Sequence, residues 1–171
     1  MANKVDTWRQ ISILNAQDYS GRFWHAGLNN SGSLLLLVSI DDEYSVVDIE
    51  SSETIWGASE ADSQPCLQDL LVDGFAEINT PDISERFRVF GPEFNHFLRY
   101  YAHDHFEFDD LNDVLVVDTF VPNEKDRQKL EFAGDADEWL CASFSDEGSI
   151  IVIMNPGFVT IFGRATEHPV T

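Results

Sequence analysis

Between Arg22 and Arg86 the chain runs for 63 residues without a Lys or Arg, while carrying thirteen carboxylates: Asp41, Asp42, Glu43, Asp48, Glu50, Glu53, Glu60, Asp62, Asp69, Asp73, Glu77, Asp82 and Glu85. Nothing local neutralises them, so they are expected to gather into one continuous negative surface. Two further base-free stretches follow, one holding Asp104, Glu107, Asp109, Asp110, Asp113, Asp118 and Glu124, the other Glu131, Asp135, Asp137, Glu138, Asp146 and Glu147. Over the whole chain 31 acidic residues face ten Lys and Arg, a formal net charge of -21. Self-repulsion at that charge costs stability, and solubility needs only a few net charges. The excess therefore asks for a reason: a solvated acidic surface of an ordinary or salt-adapted protein, or a basic partner whose complementary charge speeds encounter and fixes orientation. Direct nucleic-acid binding through phosphates requires a basic face and is excluded as a main mode. An anionic membrane surface would repel the chain for the same reason.

Acidity alone would suit a disordered chain, but 13 Phe, four Trp and four Tyr among 171 residues supply enough apolar area for a core. A single globular domain, 1–171, is expected. No run of 18 apolar residues occurs, and the start Met1-Ala2-Asn3-Lys4-Val5-Asp6 lacks an apolar signal segment, so a cytoplasmic protein is expected.

The apolar pattern reads as an α+β domain: a largely antiparallel sheet built from two three-strand meanders, with about three packed helices. Residues 7–14 read as a first strand or a short helix; strands are expected near 22–27, then over 33–40, 44–49 and 53–56, where the acidic turn Asp41-Asp42-Glu43 and a second turn separate a meander. Leu67, Leu70, Leu71 and Phe75 fall at helical spacing after Ser63 and Pro65, predicting a first helix that ends near residues 74–76. Phe94, Phe97, Leu98 and Tyr101 predict a second, and Asn123 is expected to cap a third, charged helix through Phe132. Val114–Val117 reads as a buried strand. Segment 138–165 then repeats the grammar of 33–58, with Ser39 laid over Ser143; an internal duplication and convergent hairpin grammar both produce this pattern.

No reaction is named by any motif. His96 and His103 are seven residues apart, about 10.5 Å along a helix at 1.5 Å per residue, too far to share an ion, so no metal site and no cofactor are expected. The outward stripe His96, Arg99, Tyr100, His103 is a solvated face or, through Tyr100, a contact surface. Cys66 and Cys141 form no Cys-x-x-Cys pair and have no local base, which suits buried, inert thiols. Asp104 to Asp113 lacks the order of a calcium loop, and neither a nucleophile elbow nor a phosphate-binding glycine loop is present.

These observations predict a non-catalytic acidic binding protein that neutralises a basic protein partner, most naturally an immunity protein or antitoxin covering a cationic bacterial toxin such as a nuclease. The predicted partner-binding residues are Asp41, Asp42, Glu43, Asp48, Glu50, Glu53, Asp109, Asp110 and Tyr100. Segment 139–168 resembles the strand-rich end of a family of bacterial immunity domains, without a shared motif, and no family is assigned on it. A DNA-mimic inhibitor of the anti-restriction type and a carboxylate/His metal-dependent enzyme are the alternative classes.

Overall fold

Five consecutive residues, Ile150–Met154, are buried at every position, and the reason organises the molecule. Ile151 and Ile153 pack with Trp8, Phe106, Leu115 and Phe144, whereas Val152 and Met154 pack with Phe23, Leu28, Leu35 and Val47. Successive strand residues point to opposite faces, so this strand has a hydrophobic layer on each side.

The computed structural model describes residues 8–19, 21–58, 66–93, 100–101, 104–109, 114–121, 124–134 and 138–164. In chain order its strands are β1 (Trp8–Asn15), β2 (Phe23–Asn29), β3 (Leu34–Ser39), β4 (Tyr44–Asp48), β5 (Thr54–Ala58), β6 (Leu71–Val72), β7 (Phe75–Asn79), β8 (Ser84–Phe90), β9 (Tyr100–Tyr101), β10 (Asp104–Asp109), β11 (Val114–Val121), β12 (Glu124–Glu131), β13 (Cys141–Phe144), β14 (Ile150–Met154) and β15 (Phe158–Arg164). They form three antiparallel sheets. The central one runs β1-β15-β14-β13, a second β12-β11-β10-β9, and a seven-stranded third β5-β4-β3-β2-β8-β7-β6. The second sheet covers one face of the central sheet through Phe106, Leu115, Val117 and Leu130, and the third covers the other. Strand β3 repeats the two-faced pattern: Leu35 and Leu37 face the central sheet, while Leu36 and Val38 join Phe87, Val89 and Leu67 on the far side.

The architecture is therefore all-β, which corrects the expected α+β domain with three helices. The first predicted helix survives as four residues, Leu67–Leu70 (α1), after which the chain enters β6. Asp73 and Gly74 then take φ of 53° and 83° and close the β6–β7 hairpin. Positive φ at both central residues is what a type I′ hairpin turn demands, and Asp-Gly is among its preferred sequences. The third predicted helix is β12, paired with β11 from Val114↔Glu131 to Val121↔Glu124. Its alternation is strand-like, Leu130 buried between exposed Lys129 and Glu131, because pairing and packing outweigh a few tenths of a kcal/mol of helix propensity. Of the second predicted helix, residues 94–99 lie outside the described residues, and Tyr100–Tyr101 are strand. A 3₁₀ turn at Ala16–Asp18 is the other helical element among the described residues.

Both predicted meanders form, as β3–β5 and β13–β15, but in different sheets. Ser39 closes the first with its hydroxyl accepting from the Asp41 and Glu43 N–H groups. Ser145, not the overlaid Ser143, does the same in the second, accepting from Ser149 and Ile150. Among the described residues no helix is long and apolar enough to cross a membrane.

Candidate functional site

A meander sends alternate turns to opposite ends of its strands, and this decides where the acidic residues go. Asp41, Asp42 and Glu43 lie in the β3–β4 turn, Asp41 exposed and the other two half-buried. Asp42 takes φ 55° and its carboxylate accepts the Leu67 N–H at 3.3 Å, tying the turn to α1. Asp48, Glu50 and Glu53 lie at the other end, with Glu50 and Glu53 exposed. The Ser51 N–H, donated at 2.9 Å, stabilises the Asp48 carboxylate and holds it below its ordinary pKa. The two turns are separated by β4, about 17 Å from residue 43 to 48 at roughly 3.4 Å per residue. These six carboxylates thus fall into two groups at opposite ends of β4.

Asp109 is not brought to them. It is half-buried at the end of β10, in the sheet on the opposite side of the central layer. Asp110 lies outside the described residues, as do His96, Arg99 and His103. Tyr100 sits in β9, paired with His105, not on a helical face.

The ion pairs sharpen this division. Arg22 pairs with Glu138, Arg88 with Asp146, Arg127 with Asp118 and Arg164 with Asp104. Every one of these carboxylates comes from 104–146. Among the described residues no carboxylate from Asp41 to Glu85 is in an ion pair with Lys or Arg. Arg86 and Arg88, at the end of the base-free stretch, lie over the Phe75 ring at 3.7 and 4.7 Å, so part of that cationic charge is turned onto an aromatic face.

Three concavities bring polar side chains together. A cleft of about 440 Å³ is lined by Asn15, Gln17, Arg22, Glu138, Asn155 and Phe158. Its walls spend their polar groups on one another. The Asn155 side chain donates to the Ala133 carbonyl at 2.7 Å and accepts from the Gly157 and Phe158 N–H groups, and Arg22 is held by Glu138.

A groove of about 400 Å³ on the second sheet holds His105, Glu107, Asp109, Val116, Asp118 and Arg127. The buried Asp118 accepts from Arg127 Nε at 2.8 Å and from its Nη2 at 3.2 Å, and lies 3.4 Å from His105 Nε2. The Arg127 pairing, strand to strand across Asp118↔Arg127, gives the carboxylate a structural task.

The third, about 230 Å³, brings His25, Asp42, Cys66 and Glu93 to one hollow. Sequence spacing hid this meeting of a cysteine with a histidine 41 positions away, because β2 and the start of α1 become neighbours only in the folded sheet. Its electrostatics oppose nucleophilic catalysis. The Cys66 thiol donates to the Asp69 carboxylate at 3.0 Å, which holds the proton on sulfur and raises its pKa, whereas a catalytic thiol needs the reverse. Burial lowers the His25 imidazole from an ordinary 6.5 to about 4, leaving it neutral. A side chain at Gly91 would collide with the His25 ring and come within 2.7 Å of the Trp24 carbonyl, so glycine is required for this packing. Cys141, on β13, is buried, and burial pushes its thiol up to about 12. Among the described residues no group of three or more His, Cys, Asp and Glu can hold a metal ion.

His25 makes a pH prediction. Between pH 6.5 and 4 the unfolded chain binds a proton there that the folded chain refuses, so stability falls as pH drops through that window. The loss approaches ~3 kcal/mol at full shift. Urea unfolding at pH 7 and 5 should show it, and His25→Phe should flatten the difference; an equal pH slope in the variant would assign the effect elsewhere.

A comparison with known protein-family models and with curated proteins finds no match to this chain.

Proposed function

We propose that the protein is a non-catalytic, acidic binding protein of the cytoplasm that neutralises a basic protein partner, in the manner of an immunity protein or antitoxin covering a cationic toxin. One observation carries the reading: the described arginine ion pairs all draw on carboxylates from 104–146, leaving the described carboxylates from Asp41 to Glu85 without Lys or Arg partners. A protein using acidity only for solubility has no need to keep eleven described carboxylates of one segment uncompensated. Grouping at two turns favours a protein partner over a DNA-mimic role, which calls for carboxylates in a phosphate-like series along one face. The two free cysteines, neither of them an activated thiolate, suit a reducing compartment.

The test is native mass spectrometry and titration against the product of the neighbouring gene and against cationic nucleases. A one-to-one complex is expected, weakening roughly tenfold or more from 50 to 300 mM salt, because exposed charges are screened within about 8 Å at 0.15 M. Neutralising Asp41, Glu43, Glu50 and Glu53 to their amides should slow association and remove most of that salt dependence. An affinity indifferent to salt and to those four changes would overturn the reading.

A further inference from the structure

The two acidic turns flank one structural feature, the outer edge of β5. Among the described residues β5 pairs only with β4, so one side of its backbone is unpaired at the rim of the seven-stranded sheet. Thr54, Ile55 and Gly57 are exposed, Ile55 at 49%. Because β5 runs antiparallel to β4, its first residue follows Glu53 and its last, Ala58, pairs with Tyr44, next to the Asp41–Glu43 turn. A carboxylate group therefore stands at each end of the edge, about 17 Å apart, the length of a five-residue strand.

An exposed strand edge is a template for another strand, and natural proteins blunt it against self-association. Here the register shifts between Val46 and Val47, placing Ile55 in a bulge, and the acidic ends would meet like charges in a second copy. No Lys blocks the edge, although Lys is the usual guard. The edge thus repels its own kind and suits an extended basic segment.

From this geometry we infer that β5 is the docking edge for an extended, lysine- or arginine-rich strand of the partner. That strand adds as an eighth to the sheet by backbone hydrogen bonds, with its cations meeting Asp41–Glu43 at one end and Glu50/Glu53 at the other. Main-chain pairing supplies affinity and the terminal charges set direction and selectivity. This rests on the charge reading above and names the surface it uses.

The probe is a fluorescent seven-residue peptide of alternating Lys and Val, capped at both ends, with a second version N-methylated at every residue. The two carry the same charge, but the second lacks backbone N–H donors on both edges. The unmodified peptide should bind and slow amide hydrogen exchange within 54–58. N-methylation should weaken it at least tenfold, and so should Ile55→Lys, at an exposed position that leaves folding intact. Equal affinity of the two peptides, protection confined to residues outside 54–58, or no binding at millimolar peptide would each overturn the inference. If Ile55→Lys leaves the salt-sensitive complex with the whole basic partner unchanged, the edge is wrong and the charge reading stands. If no such complex forms while the peptide protects β5, the edge stands and the charge reading falls.

Discussion

Ile151→Ala should cost about 3–4 kcal/mol of folding stability, on the order of a 10 °C fall in melting temperature. Ile151 is fully buried in an inner strand of the central sheet, among Trp8, Phe106, Leu115 and Phe144. Its loss removes the transfer free energy of three carbons and opens a cavity between two sheets that cannot close without moving a whole layer. Equilibrium urea unfolding, followed by tryptophan fluorescence, measures the change. Ile55→Ala, on the exposed edge, is the contrast and should stay within about 0.5 kcal/mol. A cost below about 1 kcal/mol at Ile151 would mean that the second sheet does not pack there.

Arg164→Met should be comparably severe, about 3–5 kcal/mol, because it leaves a buried carboxylate without its cation. Asp104 has 8% of its side chain exposed and pairs with Arg164, which also lies 4.7 Å from the centre of the Trp8 ring. This contact joins β10 of the second sheet to β15 of the central one, so amide exchange should accelerate first in β10 to β12. Adding Asp104→Leu should restore most of the loss, since an apolar pair carries no desolvation cost. If the double variant is as unstable as the single, the ion pair was not the source of the cost.

Much of the strand framework was legible because burial leaves a local mark. The runs 33–40, 44–49 and Val114–Val117 are strands in the structure, and Cys141 is core as expected. The helices failed where 3.6-residue spacing arose by accident. Leu67, Leu70, Leu71 and Phe75 share that spacing, yet Asp73-Gly74 between them was the stronger signal, a two-residue turn that a helix cannot contain. In β12 the alternation of Gln128 and Leu130 with charged neighbours was present but masked by Lys, Arg and Glu, which are good helix formers.

The candidate site was half visible. Which carboxylates lack a nearby cation could be counted along the chain, and among the described residues from Asp41 to Glu85 no carboxylate is in an ion pair with Lys or Arg. Their division between two turns could not, because it follows from strand direction. Nor could the meeting of His25 with Cys66, or the pairing of Arg164 with Asp104 across 60 positions. The sequence by itself determined local chemistry: which segments must be buried, which turns are acidic, and how much charge goes uncompensated nearby. The tertiary structure alone decided which sheet each hairpin joins, which arginine meets which carboxylate, and that among the described residues β5 ends the sheet with its edge open. Strand neighbours are chosen by the packing of whole layers, a free energy summed over residues far apart in the chain, and no window of sequence contains that sum.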